Sequence, residues 1–230
     1  MNTNIGNVII TGGASGLGAA TVEAVVRQGG TPLVLDRSTP AADVPYRCVD
    51  LADTGAVETA VAALADQVGG VVNGVFTAGG TDACGKLADV PVKDWERVIH
   101  VNLLGTVAVV RAALPYLRSS GGRIVTCAST LGVKAVSDAT AYCASKFGVV
   151  GFSRALAAEL AGEVGVTLLI PGGMHTAFFD GRDEQYKPPA DAKLNDPANV
   201  AQTVLFALSQ PAGCEIRELV VCASTESSWP

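Results

Sequence analysis

Residues 8–28 read VIITGGASGLGAATVEAVVRQ, an apolar run followed by a glycine-rich turn and a helical segment. The pattern predicts a strand at Val8–Thr11 and a helix at Gly16–Gln28 that stops at Gly29-Gly30. Glycines 12, 16 and 18 would let the backbone turn tightly and approach a pyrophosphate. The N–H groups and the positive dipole end of the helix would then bind that anion. The spacing is not GxGxxG, and a glycine-rich turn alone is a weak signal.

The same alternation of strand and helix continues along the chain. Continuous apolar strands that alternate with helices indicate a parallel sheet covered on both faces. We therefore predict an α/β fold with a doubly wound, seven-stranded parallel sheet in a single domain, residues 1–230. The further predicted strands are Leu33–Asp36, Tyr46–Val49, Val71–Ala78, Arg123–Ala128, Val166–Ile170 and Leu219–Cys222. The further predicted helices are Thr54–Val68, Val92–Leu117, Thr140–Leu160 and Pro197–Ser209, the last one capped by Asp196.

Composition excludes several classes of function. The net charge is -6 with no basic cluster, which argues against nucleic acid and anionic membranes as partners. No long uninterrupted apolar run and no secretory signal are present, so we expect a soluble cytoplasmic protein. Six cysteines without a CxxC motif predict free thiols in a reducing compartment. The two histidines, His100 and His175, lie far apart, and we expect no metal site.

Asp36 strengthens the interpretation of the glycine turn. It ends the second strand, twenty residues after Gly16, where a carboxylate accepts hydrogen bonds from an adenosine ribose. A carboxylate there also repels a 2′-phosphate, which favours NAD over NADP. The neighbouring Arg37 is the complication, because an arginine can hold a 2′-phosphate.

Two further strand ends contribute to the predicted nucleotide site. Asp50-Leu51 follows the third strand, where Asp50 accepts from an adenine amino group or, alternatively, caps a helix. Thr77-Ala78-Gly79-Gly80 ends the fourth strand, and its small residues let a flat ring lie on the backbone.

Tyr142 and Lys146 stand at i and i+4 on a predicted helix, so their side chains share one face. Ser129 lies thirteen residues before Tyr142, at the end of a predicted strand. A hydroxyl that faces a Tyr/Lys pair can form a proton-transfer site. Asn102 lies inside a long apolar helix, which suggests either a buried polar role or a solvent-facing side chain. We interpret His100 as a core or surface residue.

Taken together, TGGASGLG, Asp36, Asn102, Ser129 and Tyr142-x-x-x-Lys146 resemble the short-chain dehydrogenase/reductase family over nearly the whole chain. The resemblance implies a Rossmann-like sheet, a dinucleotide across its edge and a homotetramer or homodimer. Tyr142 would be the general acid/base and Lys146 would bind the nicotinamide ribose and lower the pKa of Tyr142. Ser129 would hold the substrate oxygen, and Asn102 would anchor a water. The predicted nucleotide-binding residues are Gly12, Ser15, Gly16, Leu17, Gly18, Asp36, Arg37, Asp50, Leu51, Ala78, Gly79, Tyr142, Lys146, Pro171, Gly172 and Thr176.

One position departs from the family pattern, and two rival functions stay open. The family commonly has Asn where this chain has Thr77, which puts packing around the cofactor in doubt but not the chemistry. The favoured function is an oxidoreductase acting on a secondary alcohol or ketone with NAD. A dinucleotide sensor or partner-binding subunit without turnover is the first alternative. A nucleotide-sugar epimerase or dehydratase is the second, although such relatives have longer C-terminal substrate domains.

Residues 177–195 break the rhythm of strands and helices, which predicts a substrate lid, with a plain surface loop as the alternative. A short lid favours a small substrate. Asp138 would bond a second hydroxyl of the substrate or cap the Tyr142 helix. Trp229 near the C-terminus supports oligomerisation weakly. The candidate substrate contacts are Thr130, Val133, Asp138, Met174, His175, Phe178 and Phe179.

Overall fold

A computed structural model describes residues 5–229 and contains a seven-stranded parallel sheet. The strand order is β3-β2-β1-β4-β5-β6-β7, and every neighbouring pair is parallel. The predicted α/β class with a doubly wound, Rossmann-like sheet is confirmed. The strands are β1 Asn7–Thr11, β2 Thr31–Asp36, β3 Tyr46–Cys48, β4 Gly74–Thr77, β5 Arg123–Cys127, β6 Gly165–Pro171 and β7 Glu218–Val221. The division into one domain stays a prediction.

Helices cover both faces of the sheet. Alternate residues of β1 show this, because Ile9 packs into one apolar core and Val8 and Ile10 pack into another. Side chains of a strand point to opposite faces in turn, so a strand buried on both sides needs a continuous apolar run. The helices are α1 Gly16–Arg27, α2 Thr54–Gln67, α3 Val92–Ile99, α4 Gly105–Ser120, α5 Thr140–Glu159 and α6 Pro197–Leu208.

The long helix predicted at Val92–Leu117 is interrupted. A π-helical turn, His100–Leu104, separates α3 from α4, and the Thr106 hydroxyl donates to the Asn102 carbonyl at 2.9 Å. Val92–Ser120 is long and apolar enough to cross a membrane by length and composition. Half of that apolar window is buried inside the protein, and core helices pass the same test of length and composition.

The fourth strand is shorter than predicted, whereas the predicted cap of α6 is present. The fourth strand begins at Gly74 rather than Val71. At Val71, the backbone carbonyl accepts a hydrogen bond from the side-chain Nδ2 of Asn7 instead of from a neighbouring strand. The Asp196 cap of α6 is present, since its carboxylate accepts from the Ala198 N–H at 2.8 Å.

The strand order places the site. Strand β1 lies between β2 and β4, so the chain leaves β1 in opposite directions on its two sides. In open α/β sheets, ligands bind outside the carboxyl ends of the strands at this switch point. The glycine turn follows β1 directly.

Candidate functional site

A single cleft of about 1110 Å³ runs along the carboxyl edge of the sheet. All sixteen predicted nucleotide-binding residues lie in its wall, as do Ser129 and the aromatic part of the lid. Asn102 is the one predicted catalytic residue outside the wall. The predicted substrate contacts that line the cleft are Thr130, Asp138, Met174, Phe178 and Phe179, whereas Val133 and His175 are not among its lining residues.

The glycine turn is packed so tightly that side chains would not fit. Gly12 has φ +68, and a Cβ there would lie 2.8 Å from the Gly79 Cα. A Cβ at Gly18 would lie 2.1 Å from the Gly12 carbonyl oxygen. Ser15 stands at the N-terminal cap of α1 but makes no side-chain capping bond. The turn therefore presents backbone at the start of a helix, an arrangement suited to a phosphate group.

Asp36 supports the same turn. One carboxylate oxygen accepts from the Ala14 N–H at 2.9 Å, and the other accepts from the Ser38 N–H at 2.9 Å. The predicted ribose ligand is thus fixed in orientation by two backbone donors. A carboxylate oxygen has further lone pairs, so these bonds leave acceptor capacity towards the cleft.

Asp50 has a partner that the sequence did not reveal. Arg97 Nη2 donates to Asp50 Oδ2 at 2.8 Å, and the Ala52 N–H donates to Oδ1 at 3.0 Å. Burial acts to raise the pKa of Asp50, but the hydrogen bond from Ala52 and the charges of Arg97 and Arg37 outweigh burial and lower it. Helix α2 is capped by Asp53, so the alternative of Asp50 as its cap was wrong.

Asn102 is a buried organising side chain. It is 1% exposed, so the solvent-facing alternative was wrong. Its Oδ1 accepts from the Thr81 N–H at 2.8 Å, while Nδ2 donates to the Thr81 carbonyl at 2.9 Å and to Ser145 Oγ at 3.0 Å. The side chain thereby pins the loop after β4 to α5, one residue before Lys146. The predicted water is not tested by this geometry.

Ser129, Tyr142 and Lys146 meet at the centre of the cleft. Ser129 caps a short 3₁₀ turn, with its Oγ accepting from the Leu131 N–H at 3.1 Å, and its hydroxyl lies within hydrogen-bonding reach of Tyr142. Lys146 Nζ lies 5.6 Å from the Tyr142 ring centroid and donates to the Cys127 carbonyl at 2.9 Å. The strand end and the helix therefore bring the three groups together as predicted from their spacing.

The pKa of Tyr142 corrects one expectation. Burial raises this pKa most, the electrostatic interaction with Cys127 (when that thiol is ionised) and the charge of Asp82 add to the rise, and the Ser129 hydrogen bond and Arg182 oppose it. The pKa of Tyr142 is therefore raised overall. Lys146 was expected to lower this pKa, and the protein alone does not show that effect. Burial likewise lowers the pKa of Lys146.

Asp138 is not the cap of the Tyr142 helix. Ala139 occupies the cap position without a side-chain bond, and Asp138 adopts φ +58, a left-handed conformation that Asp tolerates. Asp138 lines the cleft instead. Its contact with a second substrate hydroxyl stays a prediction.

The C-terminal tail, residues 222–229, forms a wall of the cleft that sequence reasoning missed. Glu226 Oε2 accepts from the Gly173 N–H at 2.9 Å, next to the predicted nucleotide-binding residues Pro171 and Gly172. The Ser228 hydroxyl lies 2.6 Å from that of Thr130, and Lys134 Nζ donates to a tail carbonyl at 2.9 Å. The tail thus joins the loops that follow β5 and β6.

No metal centre accompanies these groups. Within residues 5–229, no cluster of three or more His, Cys, Asp or Glu side chains is placed to hold a metal ion. All six cysteines are free thiols, of which only Cys127 and Cys143 are fully buried.

The fold and the site together define a class of protein, the α/β oxidoreductases that carry a glycine turn and a Ser/Tyr/Lys site on one parallel sheet. Residues 6–187 match the family model described as short chain dehydrogenase, and the chain belongs to this family.

Curated relatives cover almost the whole chain. An uncharacterized oxidoreductase of Staphylococcus aureus (strain MW2) is 30% identical over 225 residues, 93% of this chain and 95% of the relative. Carbonyl reductase family member 4 of Danio rerio is 30% identical over 216 residues, 88% of this chain and 91% of the relative.

Solved structures show the same fold. The alcohol dehydrogenase of Thermococcus sibiricus, complexed with 5-hydroxy-NADP, superposes with a TM-score of 0.85 at 22% identity and covers 96% of this chain and 97% of its own. The ligand-free aldohexose dehydrogenase of Thermoplasma acidophilum has a TM-score of 0.82 at 23% identity, covering 94% and 91%.

Proposed function

We propose that this protein is an oxidoreductase that transfers hydride between a nicotinamide nucleotide and a secondary alcohol or ketone of a small substrate, with NAD preferred. The observation that carries the proposal is the shared cleft, whose wall holds the glycine turn, Asp36, Ser129, Tyr142 and Lys146. A module that only binds a dinucleotide has no need of Ser129 beside Tyr142, which is the pair placed for proton transfer to a substrate.

The residues present fit a dinucleotide. A Cβ at Gly12 or Gly18 would collide with backbone, so these glycines keep open a shallow cradle before α1. Asp36 stands at the adjacent strand end for the ribose hydroxyls. Arg37 lines the same cleft and is the residue that could hold a 2′-phosphate instead.

When bound, the nicotinamide nucleotide supplies the hydride acceptor or donor. Tyr142 takes the proton from the substrate hydroxyl in oxidation and returns it in reduction. The Ser129 hydroxyl donates to the substrate oxygen as negative charge develops there. Lys146 is 4% exposed and its ammonium group lies 5.6 Å from the Tyr142 ring centroid, where its charge would favour the phenolate form once the nucleotide is bound.

The proposal also includes the cellular location and the oligomeric state of the protein. We propose a cytoplasmic homo-oligomer, and the six free thiols suit the reducing cytoplasm. Large exposed apolar side chains support self-association, because they are costly to leave in water. They include Leu104, Phe147, Phe206, Val220 and Trp229.

The test combines binding and turnover. Calorimetry measures the affinity of the wild type, Asp36→Asn and Arg37→Gln for NAD(H) and for NADP(H). Both substitutions remove a charge beside the adenosine ribose and keep a side chain of similar size. We expect NAD(H) to bind at least about tenfold more tightly than NADP(H), and Asp36→Asn to narrow that ratio by removing the repelling charge. An NADP(H) preference that Arg37→Gln abolishes would reverse the assignment of the cofactor.

Turnover of a panel of secondary alcohols and ketones then separates an enzyme from a sensor. Tyr142→Phe is the inactive control, since it keeps the ring and removes the proton-transfer group. Binding without turnover of any member of the panel would favour the dinucleotide sensor.

A further inference from the structure

An ion pair joins the lid to the sheet at the substrate end of the cleft. Arg182 Nη2, in the lid, donates to Asp82 Oδ2 at 2.9 Å, and Asp82 lies in the loop that follows β4. The two side chains are only 16% and 9% exposed. In every other ion pair of residues 5–229, at least one side chain is 38% exposed or more. Removing one partner from so buried a pair leaves the other charge uncompensated.

Arg182 also lies against two aromatic rings of the lid, which are edge to face with each other. Its guanidinium carbon lies 4.8 Å from the ring centroids of both Phe178 and Phe179. The Phe178 ring centroid in turn lies 5.6 Å from that of Tyr142. Contact with the rings fixes the plane of the guanidinium and thereby the direction of its donors. A continuous set of contacts thus leads from Asp82 through the lid to the phenol.

Asp82 is held in place from its own loop. The Ala83 N–H donates to Oδ1 at 2.7 Å, and the Cys84 thiol donates to Oδ2 at 3.2 Å. Burial, and then Asp82, raise the pKa of Cys84 to about 11, so the thiol keeps its proton and remains a donor. The carboxylate is therefore oriented before the lid meets it.

We propose that Asp82 and Arg182 are positioning residues whose ion pair closes the lid over Tyr142 and balances the charge beside its hydroxyl. The inference rests on the proposed function, because it assigns a purpose to the pair only if Tyr142 transfers a proton. Neither residue needs to contact the reacting atoms.

The two charges act on Tyr142 with opposite signs. Asp82 disfavours the phenolate and Arg182 favours it, with Asp82 the larger of the two effects, so the two charges of the intact pair partly cancel. The Cys127 thiol is neutral at working pH, since burial raises its pKa. The groups that face Tyr142 from the surrounding elements are Lys146 of α5, Cys127 of β5, Ser129 of the following turn, Asp82 after β4, and Arg182 of the lid.

The test uses Asp82→Asn, Arg182→Gln and the double variant. Both single variants break the ion pair, so both should raise KM several-fold through a looser lid. Their pH profiles for alcohol oxidation should move apart. Asp82→Asn should lower the pKa of Tyr142 and move the ascending limb of the pH profile to lower pH. Arg182→Gln should raise that pKa and move the limb to higher pH. We expect each displacement to be about half a pH unit or more, about threefold in proton affinity.

Two controls complete the design. The double variant carries neither of the two charges. The ascending limb of its pH profile should therefore return close to that of the wild type, while KM stays raised because the ion pair is missing. Lys187→Gln breaks an exposed ion pair with Glu184 inside the same lid and should move neither quantity. Displacement of both single variants in the same direction, or no displacement, would overturn the proposal.

A second readout needs no substrate. Tyrosinate absorbance is titrated with NAD bound, and the curve of the matching Tyr142→Phe protein is subtracted from that of each variant. The expected order of Tyr142 pKa values is Asp82→Asn, wild type, Arg182→Gln, from lowest to highest, and equal values would overturn the inference. Absence of turnover in the wild type, by contrast, would count against the proposed function alone.

Discussion

Replacing Thr77 by valine is expected to stabilise the protein. Thr77 ends β4, is 1% exposed, and its hydroxyl has no hydrogen-bond partner within the described residues 5–229. A buried polar group without a partner costs about 1–3 kcal/mol. Valine keeps the β-branched shape and removes the hydroxyl, so we expect a gain of about 1 kcal/mol.

Thr126 provides the matched control. It is the register partner of Thr77 on β5 and is 0% exposed. Its hydroxyl, however, lies 2.6 Å from Ser153 Oγ and 3.4 Å from the Thr167 carbonyl. Thr126→Val should therefore lose about 1 kcal/mol, which separates the two variants by about 2 kcal/mol.

Urea denaturation measures the difference between Thr77→Val and Thr126→Val. Their midpoints should lie on opposite sides of the wild type with an unchanged slope. In thermal unfolding, about 2 kcal/mol corresponds to about 4–8 °C for a chain of this size. An equal loss in both variants would refute the reasoning, because it would mean that the Thr77 hydroxyl makes a hydrogen bond in solution.

Three further outcomes are expected. Gly18→Ala should weaken NAD binding, measured by calorimetry, at least about tenfold, because the added Cβ would lie 2.1 Å from a backbone carbonyl oxygen. The control Gly151→Ala should leave NAD binding unchanged, because an added Cβ there would meet nothing within 4 Å. Burial acts to raise the pKa of Glu226, but its hydrogen bonds lower it overall, so its stabilisation is present above the ordinary value of 4.5 and is lost as the pH falls through the lowered pKa. Glu226→Gln should then cost about 0.5 kcal/mol at neutral pH and nothing in strong acid, by urea denaturation; a constant difference would contradict this. Hydroxy acids should show kcat/KM about fivefold or more below that of neutral alcohols of equal size, because Asp180 and Asp183 line the cleft, and equal values would count against that charge effect.

Local signals in the sequence were enough to predict the sheet and most of the cleft. The glycine turn needs backbone conformations and close approaches that few other residues allow, and the i, i+4 spacing of Tyr142 and Lys146 specifies one helix face. Asp36 is informative because its distance from the turn is set by one strand-helix-strand unit. Each of these patterns lies within a single supersecondary unit, and a parallel sheet then brings them to one edge.

Long-range pairs could not be predicted in the same way. Asp82 and Arg182 are 100 residues apart in the chain, and neither stands in a distinctive local pattern. Arg97 reaches Asp50 across 47 residues from a helix that carries no nucleotide motif. The alternative of Asp138 as a helix cap failed for a different reason, because Asp138 has a left-handed backbone and Ala139 occupies the cap position.

The hydrogen bonds of the cleft have a consequence for tolerance to mutation. Lys146 donates to the backbone carbonyl of Cys127, and Asn102 forms two hydrogen bonds with the backbone of Thr81. Asp36 accepts from the backbone N–H groups of Ala14 and Ser38. A backbone partner survives almost any change in its own side chain. Substitutions should therefore be tolerated where the acceptor is backbone and the side chain itself is not buried, so a saturation-mutagenesis map of the half-buried Thr81 should be far more permissive than one of Lys146 or Asn102.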